Sequence, residues 1–334
     1  MIDIVCPFPF SVSPHVDQAR QHLAVWTRDH GLIRSARARE RFEQADFGWF
    51  VALVHPTADA DALDLMADWF AWLFLVDDQL DDGSFGRSPE RMAQAVALMR
   101  EILNDDTTLP ATGDLLTSPV ASALMDLWRR TAARTSTAWR GRFVHHLEQC
   151  LTTATLWEAE NRVRGTVPSE ESYRANRRHT GAIYVCMDLI EIVANVEVPA
   201  ACHRAPAFRA ALDAACDVVC WVNDVYSYPK ERSLGEIHNL VHVVGHHRRL
   251  DETRATAEVC AAVSARTDAF LTAEKTLLRD HPEDASWLDP TLAGMRSWMR
   301  GNLDWSRRTE RYTSGLPQGG STAYVEAALM EAGR

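Results

Sequence analysis

The sequence contains almost no lysine and no obvious basic face, and this excludes some functions. Lysine occurs only as Lys230 and Lys275 among 35 basic residues, and 46 acidic residues leave a formal net charge of −11. A nucleic-acid-binding protein needs a basic surface against the phosphates, so we expect no nucleic-acid partner. An acidic chain also repels anions, so an anionic substrate would have to be attracted by metal ions and a few local arginines.

The sequence also lacks cysteine patterns that bind metals, and it lacks long apolar runs. The seven cysteines form no CxxC or CxxH pattern, and Cys216 and Cys220 are one helical turn apart, which favours packing. The N-terminal residues lack the basic start and apolar stretch of a signal peptide. The most apolar region, residues 62–76, is interrupted by Asp64 and Asp68 and is not predicted to span a membrane. We expect a soluble, cytoplasmic protein with reduced thiols.

Signals for β-strands are absent, whereas helical periodicity runs along most of the chain. There is no alternating β-branched run, and no nucleophile elbow, P-loop or dinucleotide-binding fingerprint. Apolar residues recur at steps of three and four within residues 59–80, 120–160, 171–196, 206–228, 252–280 and 286–312. Segments with glycine or proline separate them at 82–89, 104–119, 164–169, 198–206 and 233–249.

These segments predict the fold class and the domain organisation. No low-complexity linker or internal repeat divides the chain. We predict an all-α protein in which residues 1–334 form one domain, a bundle of roughly ten helices of about a dozen residues or more. The segment from about residue 313 to 334 is predicted to be a flexible tail that orders over a bound ligand.

Three aspartates end the most apolar helix. Asp77 and Asp81 fall on one helical face, with Asp78 beside them. The residues that precede them on this face are apolar, namely Phe70, Leu73 and Phe74. Carboxylates this close repel one another unless a cation joins them, and Mg²⁺ prefers such oxygen ligands. The cluster is either a magnesium site at the mouth of an apolar surface or a solvated acidic helix end.

A second polar cluster lies on another predicted helix. Asn223, Ser227 and Glu231 step by four residues and share one face. Their amide, hydroxyl and carboxylate oxygens suit a hard cation, and Lys230 points close enough to pair with a phosphate oxygen. A capped polar helix end is the less favoured alternative. Pro229 removes a backbone hydrogen bond here and is expected to displace Glu231 from ideal helical phase.

Two further groups of residues suit anion binding. Arg177 and Gly181 share a helical face, and glycine inside a helix costs about 1 kcal/mol relative to alanine, which often marks a break that frees a carbonyl. Arg311 and Tyr312 follow a tryptophan-bearing helix. Arginine binds diphosphate oxygens as a fork, and tyrosine adds a hydroxyl donor. The histidines of the break at 233–249 complete no zinc site and are predicted to be solvated loop residues.

In combination, these motifs resemble those of the bacterial class I terpene synthases, particularly sesquiterpene cyclases, over nearly the whole chain. The pattern Asp77-Asp78-x-x-Asp81 is similar to the aspartate-rich motif of that family. The NDxxSxxKE motif of the family is matched by Asn223, Ser227, Lys230 and Glu231.

Two more motifs carry the resemblance. Arg177 lies 46 residues before Asn223, the spacing of the family's diphosphate-sensor arginine. Thr180 and Gly181 occupy the positions linked to that sensor, and the C-terminal Arg-Tyr pair of the family is matched by Arg311 and Tyr312. Four motifs in the family's order make the resemblance specific.

The resemblance implies a helical bundle around a deep apolar pocket whose mouth binds three Mg²⁺ ions. The implied ligands are Asp77 and Asp81 on one side and Asn223, Ser227 and Glu231 on the other. Asp78 is expected to pair with arginines when the site closes.

The resemblance also implies the reaction. An isoprenoid diphosphate, with farnesyl diphosphate preferred, is expected to be ionised and cyclised to a sesquiterpene hydrocarbon or alcohol. The residues expected to hold the diphosphate are Arg177, Lys230, Arg311 and Tyr312, while the carbonyl of Gly181 steers ionisation. Phe74 and Trp305 are expected to stabilise the carbocation by cation–π contacts worth up to ~2 kcal/mol each.

Other functions stay open from the sequence. The substrate could instead be geranyl or geranylgeranyl diphosphate. A chain-elongating prenyl diphosphate synthase should carry two aspartate-rich motifs, and here the second is replaced by Asn, Ser and Glu. A class II cyclase would need a DxDD motif, which is absent. A non-catalytic helical interaction protein would bind no metal. A homodimeric state is also left open.

Overall fold

Every regular element in the described part of the chain is a helix, as predicted. The computed structural model describes residues 2–82, 89–104 and 118–312, without the side chains of residues 78–82, 89–92, 95, 154 and 155. The first helices are α1 (Val16–Asp29), α2 (Ala36–Ala45), α3 (Phe47–Val54), α4 (Ala60–Asp82), α5 (Pro89–Asn104), α6 (Pro119–Ala132), α7 (Thr137–Thr152) and α8 (Ala159–Arg164). They are followed by α9 (Glu170–Thr180), α10 (Ile183–Ala194), α11 (Ala200–His203), α12 (Pro206–Leu234), α13 (Leu240–Arg248), α14 (Glu252–Asp280) and α15 (Ala285–Ser306).

Polar residues in the sequence set where many of these helices begin. The side chain of the capping residue accepts a hydrogen bond from a first-turn backbone N–H at Ser35, Ser118, Ser136, Ser169, Asn239 and Asp251. Each such bond satisfies a donor that the helix itself leaves unpaired, and it is typically worth about 1 kcal/mol.

Two predicted helical segments are divided in the structure. Residues 120–160 contain α6, α7 and part of α8, because a turn capped by Ser136 separates α6 from α7 and a π-helical segment, Thr153–Glu158, joins α7 to α8. Residues 171–196 contain α9 and α10, which meet at Gly181 and Ala182. Apolar spacing alone does not reveal such breaks, because both sides of each break keep the helical period.

The prediction of a loop at 233–249 is wrong for most of that segment. Helix α13 occupies much of it and carries His242, His246 and His247, while His238 precedes the helix and is 7% exposed. A capping asparagine, Asn239, starts this helix, and its side chain accepts from Val241 N at 2.8 Å.

Helix α12 lies in the middle of the bundle and packs against α9, α10, α13, α14 and α15. Pro229 lies inside α12, with its ring exposed, and the helix continues to Leu234 before ending at Gly235 in a left-handed conformation with φ of 77°. The lost backbone bond at Pro229 therefore does not end the helix, and Glu231 stays on the face of Asn223 and Ser227.

Aromatic side chains pack where α3, α4 and α15 meet. Phe50 and Phe70 are stacked with ring centroids 4.1 Å apart, and Phe47 lies 4.8 Å from Phe74. Trp305 contacts Phe50 edge-on, with centroids 5.0 Å apart. These rings form a rigid apolar layer at one side of the bundle. Among the helices described, none combines the length and the hydropathy needed to cross a membrane.

Candidate active site

The bundle encloses the predicted deep apolar pocket, a cavity of about 620 Å³. Its floor and walls are mainly aromatic and aliphatic, and the Phe, Trp and Tyr members are Phe50, Phe70, Trp72, Phe74, Trp298, Trp305 and Tyr312. Sites for small organic molecules in proteins are typically apolar cavities of roughly 300–1,000 Å³ with a few placed polar groups. The size and lining thus fit an apolar ligand with a polar end.

One rim of the cavity is formed by the three oxygen donors predicted on α12. Asn223, Ser227 and Glu231, which we call the rim triad, all line the cavity together with Lys230. Ser227 Oγ donates to the carbonyl oxygen of Asn223 at 2.8 Å, and Glu231 Oε2 accepts from Asn239 Nδ2 at 2.8 Å. The structure therefore brings the three donors to one place.

The rim triad fits a divalent cation chemically. An amide, a hydroxyl and a carboxylate oxygen are ligands for hard cations. Burial, with the Asp224 carboxylate nearby, raises the pKa of Glu231. A bound cation would compensate the cost of holding this carboxylate ionised away from water.

The aspartate-rich end of α4 contributes a second wall. Asp77 lines the cavity, one turn beyond Leu73 and Phe74, which line it as well. The predicted ligand Asp81 and the predicted closure residue Asp78 lie on α4, but their side chains are outside the described part of the structure. Only Asp77 of this motif is therefore placed at the cavity.

Arg177 on α9 is bonded to the rim triad. Its Nη2 donates to Asn223 Oδ1 at 2.9 Å and its Nε donates to Asp224 Oδ1 at 2.9 Å. Burial by itself lowers the pKa of Arg177, but the acidic groups around it, Asp224 foremost, together outweigh burial and the pKa is raised. Asn223 Nδ2 in turn donates to the hydroxyl of Tyr312 at 2.6 Å. The sensor-like arginine and one predicted metal ligand thus contact each other directly.

The break between α9 and α10 shows why glycine occupies position 181. Gly181 has an ordinary backbone conformation, but a Cβ there would lie 2.8 Å from Arg177 Nη1 and 3.2 Å from Cys220 Sγ. The strained residue is its neighbour Ala182, with a left-handed φ of 51°. Gly181 is therefore needed for close approach of Arg177. Thr180 Oγ1, at the end of α9, is buried and has no hydrogen-bond partner among the described residues.

The C-terminal pair lies against the aromatic wall. The guanidinium of Arg311 is 4.6 Å from the ring centroid of Phe74, and the rings of Tyr312 and Trp305 are 5.7 Å apart. All four residues line the cavity. One face of the Phe74 ring is thus covered by Arg311 in this structure, so Phe74 has less free π-surface than the sequence suggests.

Sequence reasoning missed a set of charged residues at the cavity. Arg162 donates to Glu236 at 3.0 Å and to Glu158 at 3.3 Å, and the Nδ1 of His238 lies 2.7 Å from Glu236. Burial alone would raise the pKa of Glu236, but His238 and Arg162 lower it to about 2. The only local hint was Gly235, a typical helix end after which the chain turns back over the cavity.

Three thiols also line the cavity, on three different helices. Cys150, Cys186 and Cys220 are all buried there. Burial raises the pKa of Cys150 and of Cys220 to about 12. They therefore stay protonated and behave as small apolar residues, in agreement with the expectation that the cysteines are reduced and serve packing.

A separate acidic group lies outside the cavity. Asp188, Glu191 and His203 bring their ligand atoms within 4.8 Å of one another. Arg142 Nε donates to Asp188 at 2.9 Å and its Nη2 to Glu191 at 2.6 Å, and His146 Nδ1 lies 2.6 Å from Asp188. In these five residues, which we call the ionic cluster, each carboxylate is therefore paired with Arg142 and with a histidine.

Known proteins resemble this chain over the region that carries the site. The model of terpene synthase family 2, C-terminal metal binding, matches residues 68–269, which include Asp77, Arg177 and the rim triad. The (+)-T-muurolol synthase of Roseiflexus castenholzii, described as cyclising (2E,6E)-farnesyl diphosphate, is 35% identical over 92% of this chain and 93% of its own length. Pristinol synthase of Streptomyces pristinaespiralis is 32% identical over 92% of this chain and 83% of its own.

Solved structures show the same architecture. Germacradien-4-ol synthase from Streptomyces citricolor is 27% identical, with a TM-score of 0.78 over 91% of this chain and 97% of its own. Wild-type cucumene synthase is 29% identical, with a TM-score of 0.77 over 90% of this chain and 99% of its own. With a divalent-metal site over an apolar cavity, the chain belongs to terpene synthase family 2 and is a bacterial-type class I terpene synthase.

Proposed function

We propose that this chain is a magnesium-dependent sesquiterpene cyclase that ionises farnesyl diphosphate, cyclises the resulting cation and releases diphosphate. The observation that carries the proposal is the junction of the rim triad, bonded to Arg177, with an aromatic cavity of about 620 Å³. Relatives named for cyclising (2E,6E)-farnesyl diphosphate support the choice of substrate, including the 4-epi-cubebol synthase of Streptosporangium roseum, 32% identical over 92% of this chain.

We assign the metal to the cavity mouth. The residues that would hold Mg²⁺ are Asp77, Asn223, Ser227 and Glu231, with Asp81 added by the sequence motif, and three ions are expected from the family resemblance. When bound, Mg²⁺ neutralises the diphosphate and makes it a better leaving group. The fit of oxygen donors and the raised pKa of Glu231 support this assignment.

Arg177 has two tasks in this proposal. Its guanidinium now bonds to Asn223 Oδ1, so a cation that uses this oxygen requires Arg177 to turn away. The diphosphate supplies the alternative partner, because arginine binds phosphate oxygens as a fork. Arg177 thereby couples the arrival of the diphosphate to the release of Asn223. Lys230, Arg311 and Tyr312 add further donors at the same mouth.

The cavity then protects and shapes the carbocation. Its walls exclude water and offer π-faces rather than nucleophiles. Trp305 presents its ring to the cavity while its Nε1 donates to Ala45 O at 2.8 Å, so no polar end faces the cation. Phe74 joins it when Arg311 moves from the Phe74 ring to the diphosphate. The carbonyl of Gly181 is assigned the steering of ionisation. Whether two copies of the chain form a homodimer stays a prediction from the sequence.

A product assay tests this proposal. The protein is incubated with geranyl, farnesyl or geranylgeranyl diphosphate, with Mg²⁺ or with a chelator, and the extracts are analysed by gas chromatography–mass spectrometry. We expect a cyclic C15 product from farnesyl diphosphate that disappears when the metal is chelated. A product only from another chain length would change the substrate. Longer diphosphates formed only with added isopentenyl diphosphate would show a transferase, and no product from any substrate would reject the cyclase.

A further inference from the structure

A buried asparagine connects the rim triad to the helix that follows it. Asn239 lies between α12 and α13, and 0% of its surface is exposed. Burying an amide is costly unless its polar atoms are hydrogen-bonded. The bonds that this side chain makes therefore indicate what it does.

The oxygen of the Asn239 amide caps α13. Its Oδ1 accepts a hydrogen bond from Val241 N at 2.8 Å. A backbone N–H can only donate, so this contact identifies the oxygen end of the amide and leaves Nδ2 for other partners. Capping needs only an acceptor oxygen, and the five other capping residues named above are serines and an aspartate. Capping alone therefore does not explain an amide at this position.

The nitrogen of the same amide bonds to two oxygens of α12. Asn239 Nδ2 donates to the backbone carbonyl oxygen of Asp224 at 2.8 Å and to Glu231 Oε2 at 2.8 Å. An amide nitrogen carries two protons, so both are used. Asn239 thus ties the carboxylate of the rim triad to a main-chain atom of α12 about two helical turns earlier.

The two oxygens bonded by Asn239 lie on either side of the weak point of α12. Pro229 has no N–H, so the backbone bond to the carbonyl oxygen of Val225 is lost between Asp224 and Glu231. A proline at such a position commonly kinks a helix. Asn239 spans the same segment from outside α12 and holds Glu231 relative to the turn that precedes the proline.

The start of α13 is fixed to α12 by a further bond beside Asn239. Leu240 N donates to Asp224 Oδ2 at 3.1 Å, and the hydroxyl of Tyr173 on α9 donates to the same oxygen at 2.8 Å. Asp224 is 1% exposed and Tyr173 is 0% exposed. The segment that carries Asn239 is therefore held in place by a buried network, and through Asn239 this network reaches Glu231.

We propose that Asn239 is a positioning residue for the metal site, which holds the Glu231 carboxylate at the cavity rim and thereby sets the affinity for Mg²⁺. The proposal rests on the proposed function, in which Glu231 is a metal ligand. Without the bond from Nδ2, the long side chain of Glu231 gains rotamers that a cation must restrict before it binds. Removing a partner of this kind typically costs roughly 10–100-fold in metal affinity or activity.

A purely structural role for Asn239 makes a different prediction. If the side chain serves only to cap α13, a substitution that keeps the cap leaves the metal site unchanged. Asn239→Thr is such a substitution, because threonine caps helices and favours the extended backbone found here, with φ of −148° and ψ of 133°. It removes the donor to Glu231 and so separates the two roles.

The first measurement is binding, followed as the rise in melting temperature that Mg²⁺ and inorganic diphosphate produce together. The Mg²⁺ concentration that gives half of this rise should be about tenfold higher for Asn239→Thr than for the wild type. The Mg²⁺ concentration for half-maximal diphosphate release from farnesyl diphosphate should shift by a similar factor. Asp251→Thr is the matched control, since Asp251 is an exposed cap of α14 that accepts from Arg254 N at 2.9 Å, and it should leave both concentrations unchanged.

Asn239→Ser is the second variant, and it decides the question if Asn239→Thr does not fold. Serine also caps helices and also lacks the amide donor, so the same increase is expected. The melting temperature without Mg²⁺ is recorded for every variant, because a loss of stability appears there, whereas a loss of positioning appears only in the response to the metal.

Each other result overturns the proposal. An unchanged Mg²⁺ requirement in a folded Asn239 variant, an equal increase in Asp251→Thr, or failure of both Asn239 variants to fold would reject the positioning role and leave the cyclase proposal intact. A wild-type protein that is not stabilised by Mg²⁺ with inorganic diphosphate, and that releases no diphosphate from farnesyl diphosphate, would reject both.

Discussion

Two polar clusters in this molecule, the ionic cluster and the rim triad, contain buried carboxylates, and they differ in how the charge of those carboxylates is compensated. In the ionic cluster, Asp188 and Glu191 are each 2% exposed and share the guanidinium of Arg142. Burial alone would raise the pKa of Asp188, but His146 and Arg142 lower it. In the rim triad, the pKa of Glu231 is raised, mainly by burial. One carboxylate is therefore stabilised as an ion by the protein, and the other is not.

The difference separates a structural cluster from the metal site that we propose. Grouped ligand atoms alone do not indicate a metal, because in the ionic cluster both carboxylates are already paired with Arg142 and with histidines. The rim triad combines oxygen donors, incomplete charge compensation and an open cavity. Arg177 binds Asn223 of the triad through a guanidinium that can exchange this oxygen for a phosphate. Loss of the ionic cluster should thus affect stability, and loss of the triad should affect turnover.

The largest effect is expected in the ionic cluster. Asp188→Ala leaves Arg142 and His146 without their shared carboxylate, and breaking a buried ion pair typically costs about 3–5 kcal/mol. The free energy of unfolding, measured by urea titration without metal, should fall by this amount. Asp188→Asn keeps the shape and should cost less. A loss below about 1 kcal/mol, the usual worth of an exposed pair, would contradict the buried role.

The second largest effect is expected at the rim triad, where a variant should lower turnover and not stability. Glu231→Gln removes a charged oxygen donor at the point where leaving-group charge develops, and such losses cost roughly 10²–10³ in kcat. The measurement is initial rate of diphosphate release at saturating Mg²⁺, with thermal unfolding followed separately. The melting temperature should not fall, because ionised Glu231 is poorly compensated in the fold.

Glu236→Gln is the matched control for that variant. It removes the same charge from the same cavity, but Glu236 is already paired with Arg162 and His238. Since such partly exposed pairs are worth about 0–1 kcal/mol, turnover should stay within about tenfold of the wild type. Equal losses in both variants would mean that general cavity charge, and not metal ligation, matters.

The smallest effect is expected at Ala182, in the break between α9 and α10. Ala182 connects α9, which carries Arg177, to α10, which carries Asp188 and Glu191, and it adopts a left-handed φ of 51°. Ala182→Gly should raise the free energy of unfolding by about 1 kcal/mol, since alanine is disfavoured in this conformation. Asn195, at the other end of α10, has the same φ, but asparagine tolerates it, so Asn195→Gly should gain less. Equal gains would refute strain specific to Ala182.

Local helical periodicity explains which features of the candidate site could be predicted from the sequence. The steps of four from Asn223 to Glu231 depend only on the geometry of one helix, and Pro229 on the exposed side does not interrupt it. The aromatic face below Asp77 follows from the same rule. The role of Arg177 at the same site was inferred from the family spacing, and its bond to Asn223 was not predicted, because no local rule brings together residues on different helices.

Other features had little or no sequence signal. The π-helical segment that places Glu158 at the cavity, the turn of the chain that brings His238 beside Glu236, and the ionic cluster all depend on contacts between distant segments. The backbone strain at the α9–α10 break lies at Ala182 and not at Gly181. Glycine is required at position 181 for a different reason, because the space for a Cβ there is taken by Arg177 and Cys220.

The sequence alone determined the helical class and the alignment of oxygen donors along α12, since helix geometry repeats within a few residues. Only the tertiary structure decided which charges are already compensated and which ring of the cavity is covered by Arg311. The physical reason is that charge balance, burial and hydrogen-bond pairing are properties of neighbours in space, which helices far apart in the chain supply only after they pack.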